Sequence, residues 1–211
     1  MGVYSEKFLI SGPSGVIEVL VEEPTENPIG WGMVLHPHPL MGGSMSHKVP
    51  YILSRALLDL GYCSVRFNFR GVGQSCGYYD DGRGEIEDAL CVKKWCDSRY
   101  PSAKTALFSF SFGAFVGAHL VNSCSFNHIV LSGLPVSRFD CPTVPPHSIV
   151  IHGELDELIP LTSVYSWAEP QNIPVVVFPR TSHFFDRKLV ALKDFILLVI
   201  SPTLSSGNCL P

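Results

Sequence analysis

The chain has 211 residues, 46% hydrophobic and 16% charged, enough for one domain with a sizeable core. A net charge of −4, without any Lys/Arg-rich run, argues against nucleic-acid binding and against electrostatic docking on a membrane. The longest purely apolar run near an end, Phe195 to Ile200, is far too short to span a bilayer, so membrane insertion is not expected.

The N-terminus, Met1-Gly2-Val3-Tyr4-Ser5-Glu6, lacks the basic-then-apolar pattern of an export signal, and Glu6 breaks the myristoylation pattern. The seven cysteines are odd in number and have no C-x-x-C spacing. They read as reduced, mostly buried thiols of a cytoplasmic protein. A mean hydropathy of +0.23 points to a sheet buried on both faces.

Phe8–Ile10 and Val16–Glu22 are β-like runs separated by a Gly/Pro/Ser turn, which predicts an opening hairpin. Trp31–Leu35 reads as a buried strand. His36-Pro37-His38-Pro39-Leu40-Met41-Gly42-Gly43-Ser44 then forms a loop, because its prolines and glycines forbid a helix. Lys48 to Asp59 has helical periodicity and ends at Gly61. Cys63–Phe69 predicts a strand, Arg70–Gly77 a Gly-rich loop, and Glu85–Asp97 an amphipathic helix. Further strands are expected at Thr105–Phe110, Ile129–Ser132, Ser148–His152 and Val175–Phe178. Helices are expected at Gly113–Val121, Thr162–Ala168 and Arg187–Ile200. Residues 1–200 then form one domain, and 201–211 read as a frayed tail. Strands alternating with helices imply a mostly parallel sheet with helices on both faces, and ligands bind beyond the carboxyl ends of its strands. No segment between Ile129 and His152 is long enough for a helical lid, so an open site is expected.

The chemistry centres on Phe108-Ser109-Phe110-Ser111-Phe112-Gly113. An apolar strand runs through a serine straight into a helix, the layout of a nucleophile elbow. Such a turn needs small residues two before and two after the serine. Gly113 meets this demand, and Ser109 stands where the usual pattern has glycine. The elbow exposes the Ser111 hydroxyl and aims the Phe112 N–H at an oxyanion. A serine hydroxyl needs a histidine base and an acid that orients it.

In this layout the acid and then the histidine follow the serine along the chain. Asp156, in His152-Gly153-Glu154-Leu155-Asp156 after a strand, is the first candidate acid, with Glu154 and Glu157 as alternatives. His183 is the only histidine after Asp156 and the candidate base. The loop after Trp31–Leu35 should supply the second oxyanion donor, the backbone N–H of Leu40 or of Met41.

Several other features read differently. Gly73-Gln74-Ser75-Cys76-Gly77 matches the elbow pattern by letter, but no apolar helix follows it. The same loop lacks the last glycine of a dinucleotide site. It is expected to wall the pocket, with Arg70 anchoring loops. His36, His38 and His47 lack a third ligand of characteristic spacing, so loop-shaping hydrogen bonds are expected there and not a metal. Cys63, Cys91, Cys96 and Cys124 read as core residues. The phenylalanines around the elbow read as packing, with Phe112 able to face a substrate.

His36 to Met45, Arg66-Phe67-Asn68-Phe69-Arg70-Gly71-Val72-Gly73-Gln74-Ser75 and Phe110 to Gly113 together resemble the small lidless α/β-hydrolases related to dienelactone hydrolase. The resemblance runs from about Gly15 to Ile200. It implies an α/β-hydrolase fold without a lid domain and a small-molecule acyl substrate, with no cofactor. Dienelactone hydrolases proper carry cysteine at the elbow. Ser111 turns the expectation toward a serine esterase, with thioesterase and peptidase chemistry open. A fold relative that binds a ligand or partner without catalysis is the alternative, favoured by Ser109 alone. Monomer and homodimer are both compatible with the sequence.

Overall fold

The computed structural model describes residues 2–201. Two ten-residue strands, β1 (Val3–Gly12) and β2 (Gly15–Pro24), pair antiparallel as a hairpin. They extend well past the apolar runs that predicted them, because β1 is an edge strand. Its polar residues, Ser5 to Lys7, pair through backbone and leave their side chains at the surface.

The chain continues through β3 (Gly30–Leu35), α1 (Lys48–Asp59), β4 (Tyr62–Phe67), α2 (Arg83–Arg99), β5 (Lys104–Phe110) and α3 (Phe112–Ser123). It closes with β6 (His128–Ser132), β7 (Ser148–Gly153), α4 (Leu161–Ala168), β8 (Val175–Phe178) and α5 (Leu189–Ile200). The sheet order is β1-β2-β4-β3-β5-β6-β7-β8, antiparallel from β1 to β4 and parallel from there on.

The central strands alternate apolar residues between two layers. Met33, Leu35, Leu107 and Leu131 face the layer that holds α2, α3 and α4. Val34, Phe108, Phe110, Val130 and Ile151 face α1 and α5, through Leu53, Leu57, Leu192 and Ile196. The segment between β6 and β7 carries no helix or strand, so the carboxyl edge of the sheet is left uncovered there.

Two predicted boundaries shift for local reasons. β4 stops at Phe67, because the Asn68 N–H turns to Glu18 O and the Phe69 N–H to His36 Nε2. The last helix starts at Leu189 and not at Arg187, because Phe185 and Arg187 both take positive φ, at 53° and 60°. The predicted tail lies, from residue 202, outside the described residues.

Among the described cysteines, Cys63, Cys96 and Cys141 are buried, Cys91 and Cys124 half-buried and Cys76 exposed. Cys91 and Cys124 thus pack against the edge of the core and are not fully inside it: Cys91 Sγ reaches Ser11 O, and Cys124 caps the end of α3. No described helix is long and apolar enough to cross a membrane.

Candidate active site

Ser111 joins β5 to α3 with φ 55° and ψ −124°. A non-glycine residue in that region carries strain of about 1–3 kcal/mol. The turn is held by the Ser111 N–H, which donates to Ser132 O at 2.9 Å, and by the close passage of α3 over the end of β3. A Cβ on Gly113 would lie 2.6 Å from the Leu35 carbonyl carbon and 2.7 Å from His36 O. The small residue is therefore required by β3, the neighbouring strand, as much as by the turn itself. The Phe112 N–H opens α3 and has no partner within the helix.

His183 comes from the loop between β8 and α5, and Asp156 from the loop after β7. His183 Nε2 lies 2.9 Å from Ser111 Oγ, and its Nδ1 lies 2.7 Å from Asp156 Oδ2. The His183 side chain is 1% exposed, while Ser111 is half-buried at the floor of a cavity. Asp156 Oδ1 accepts the N–H groups of Leu158 at 2.9 Å and Ile159 at 2.8 Å. Burial alone would raise its pKa, but the His183 hydrogen bond and charge, with the Ile159 N–H, hold the carboxyl below its usual range.

The alternative acids do other work. Glu157 accepts the backbone N–H of His183 at 3.1 Å, and Glu154 accepts that of Arg180 at 2.7 Å. Both pin the histidine loop and neither reaches the imidazole. Lys48, at the start of α1, pairs with Asp186 and ties down the other end of that loop.

The loop after β3 departs from expectation. Pro39–Met41 is a single 3-10 turn, in which the Leu40 N–H donates to His38 Nδ1 at 3.2 Å and the Met41 N–H to His38 O at 3.0 Å. Neither donor is left for an oxyanion, because the turn consumes both. The His38 N–H forms no hydrogen bond to protein among the described residues. The expectation of Leu40 or Met41 rested on analogy with glycine-rich oxyanion loops, and the 3-10 turn that Pro39 starts is the signal that redirects the choice.

The cavity holds about 620 Å³, within the range of small-molecule sites. Ser111 and His183 lie in its wall with Pro37, His38, Phe112, Phe139, Leu158 and Phe184. Arg138 and His47 add the few polar groups. Residues 70–77 do not line it, which corrects the expected role of the Gly-rich loop. Arg70 instead clamps that loop to α2, donating through Nε and Nη2 to Asp88 at 3.0 and 2.8 Å. Ser75, the alternative nucleophile by letter, is buried. Its Oγ donates to Asn68 O at 2.7 Å and accepts the Glu18 N–H at 2.9 Å.

His36 and His38 act inside the loop. His36 Nε2 accepts the Phe69 N–H at 3.0 Å, and its Nδ1 donates to Pro37 O at 2.7 Å. Among the described residues no group of three or more His, Cys, Asp or Glu is placed to hold a metal.

A serine on a strand-to-helix elbow, with a buried histidine and carboxylate behind it, defines the class as an α/β hydrolase. The chain matches no family model. It is 36% identical, over 92% of its length and 90% of the relative's, to an uncharacterised protein of Rickettsia prowazekii (strain Madrid E). Its fold matches a lidless α/β serine hydrolase of Xanthomonas campestris with a TM-score of 0.87 and 35% identity, over 92% of each chain. An α/β serine hydrolase homologue of Coxiella burnetii matches with the same TM-score and identity, over 92% of this chain and 97% of that one. The chain belongs to the lidless α/β serine hydrolases.

Proposed function

We propose that the protein hydrolyses small esters or related acyl compounds through Ser111, His183 and Asp156, by way of an acyl-enzyme. The observation that carries this reading is the continuous chain from Ser111 Oγ to His183 to Asp156, at 2.9 and 2.7 Å, opening onto an apolar cavity. His183 Nε2 takes the Ser111 proton as Oγ attacks the acyl carbonyl carbon. Asp156 accepts from Nδ1–H and stabilises the imidazolium. The oxyanion is received by the N–H groups of Phe112 and His38, each such donor contributing about 3 kcal/mol to the transition state. The leaving group departs with the proton from Nε2. Water, activated by the same nitrogen, then frees the acid and restores the Ser111 hydroxyl.

The walls favour apolar acyl or leaving groups, held between Phe112, Phe139, Phe184 and Leu158. Without a covering lid, small substrates reach Ser111 directly. The non-catalytic alternative loses its motive, because Ser109 is accommodated: its buried hydroxyl donates to Val130 O at 3.0 Å and leaves the elbow intact.

The test is hydrolysis of a p-nitrophenyl ester series of increasing acyl length by the wild type and Ser111→Ala. The wild type should turn over the short members, and the variant should lose about 10⁶-fold in kcat. A Ser111→Ala variant as active as the wild type, or a wild type that neither turns over these esters nor reacts at Ser111 with a fluorophosphonate, would overturn the reading.

A further inference from the structure

The cavity over Ser111 has one fixed charge in its wall. None of the side chains that line it is acidic, and Arg138 alone is a permanent cation. His38 and His47 stand in the same wall, and burial pushes both imidazoles below their ordinary range. Each spends Nδ1 on a backbone N–H, that of Leu40 at 3.2 Å and that of Val49 at 3.4 Å, so each is left with a donor at Nε2. Ser111 and His183 aside, the polar side chains of the wall are therefore all donors, in a wall that is otherwise apolar.

Arg138 comes from the segment between β6 and β7, and its Nε donates to Leu158 O at 3.4 Å, tethering the guanidinium to the loop that carries Asp156. Both Nη groups are left over, and among the described residues they pair with no carboxylate. The ring of Phe139, the next residue, packs 5.5 Å from that of Phe112, which follows the nucleophile. Phe112, Phe139 and Leu158 thus form an apolar track between Ser111 on the floor and the exposed Arg138 at the rim. We propose that Arg138 is a specificity-determining residue, and that the substrates are esters whose apolar body ends, away from the scissile bond, in a carboxylate held by its guanidinium. This names the substrate class within the hydrolase reading above and rests on it. A carboxylate suits the wall better than a phosphate dianion. Two Nη groups match two coplanar oxygens, and no second permanent cation is there to meet further charge. An uncharged ester gains nothing from the guanidinium, and an amine-bearing ester is repelled by it.

The test compares two p-nitrophenyl esters of equal chain length, the monoester of adipate and the ester of hexanoate, in the wild type, Arg138→Met and Arg138→Glu. Methionine keeps much of the apolar stem and removes the charge. Loss of the Leu158 contact affects both esters alike, so the ratio of their kcat/KM values isolates the charge. The adipate-to-hexanoate ratio should fall about tenfold in Arg138→Met, mainly through KM, and further in Arg138→Glu. A ratio that stays at the wild-type value in Arg138→Met overturns the proposal, even where both rates fall together.

A second measurement needs no turnover. Monomethyl adipate is titrated by calorimetry into Ser111→Ala and into the double variant Ser111→Ala/Arg138→Met. The double variant should bind it about tenfold more weakly. Equal affinities, or no binding to either protein, overturn the proposal. This arm separates failure of the inference from failure of the ester-hydrolase reading. A wild type silent on both esters, beside an affinity that depends on Arg138, sinks only the latter.

Discussion

Ser109 and Gly117 face each other across the elbow: a Cβ on Gly117 would lie 3.1 Å from the Ser109 hydroxyl oxygen and 3.4 Å from its Cβ. The serine in place of the usual glycine is thus matched by a glycine one helical turn past the elbow. Gly in a helix interior ordinarily costs about 1 kcal/mol relative to Ala, so Gly117→Ala should stabilise unless Ser109 obstructs it. The expectation is a double-mutant cycle with coupling of about 0.5 kcal/mol or more. Gly117→Ala should be neutral or destabilising with Ser109 present and stabilising in Ser109→Gly. Urea unfolding of the four proteins measures this, and strict additivity would show that the two positions do not share the space.

How much of this was legible in the sequence depends on the reach of each interaction. The parallel core was readable because Met33, Val34 and Leu35, or Leu107 and Phe108, leave no polar side for water. Ser111, Asp156 and His183 were readable as a set because each lies just beyond a strand's carboxyl end, and parallel strands bring those ends to one edge. What escaped was set by backbone detail. Leu40 and Met41 seemed free donors until a 3-10 turn spent their N–H groups on His38. Arg70 was legible as a loop anchor, but its partner Asp88, 18 residues away, has no periodic signature. His152 was visible in the acid loop, but only the fold shows that its ring turns back onto Asp156.

Ser75 separates a motif from an environment. Its hydroxyl serves the Glu18 N–H and the Asn68 carbonyl, both buried. Ser75→Ala leaves those groups without a partner, which costs about 1–3 kcal/mol. Thermal melts should show the loss, while ester hydrolysis should stay within a few-fold of wild type. A Ser75→Ala enzyme that melts normally but has no activity would move the chemistry to the wrong loop.

Ser111 should be destabilising in proportion to its strain. Its φ of 55° with ψ of −124° suits glycine, and its side chain caps no N–H of α3. Ser111→Gly relieves the backbone and gives up only the hydrogen bond to His183, against some added freedom in the unfolded chain. The net expectation is a gain of about 1 kcal/mol together with loss of the proposed hydrolysis. Calorimetry of the variant checks it. A lowered melting temperature would mean that the elbow is not strained in solution.

His36 makes the fold sensitive to acid. It is fully buried, with one ring nitrogen donating to Pro37 O and the other accepting the Phe69 N–H. Burial is the main reason that its pKa falls from an ordinary value of 6.5 to about 3. Between those values the unfolded chain binds a proton that the folded chain refuses. Stability is therefore full above about pH 6.5 and falls as pH drops toward 3, by up to about 1.4 kcal/mol per pH unit from this group. His152 acts in the same direction. Asp156, held below its usual range, adds its loss only further down, as pH passes the carboxylate range. Glu85, raised by burial above its ordinary value of 4.5, opposes the trend earlier, as pH falls toward 4.5 and the folded chain takes up its proton first. Urea unfolding at pH 8, 7, 6 and 5 should show the decline beginning near pH 6.5. His36→Gln should be less stable than the wild type at pH 8, because its hydrogen bonds fit less well, and should lose less on going to pH 5. A wild-type curve that is flat from pH 8 to 5, or a Gln variant with the same slope, would show that His36 takes up its proton in the folded state.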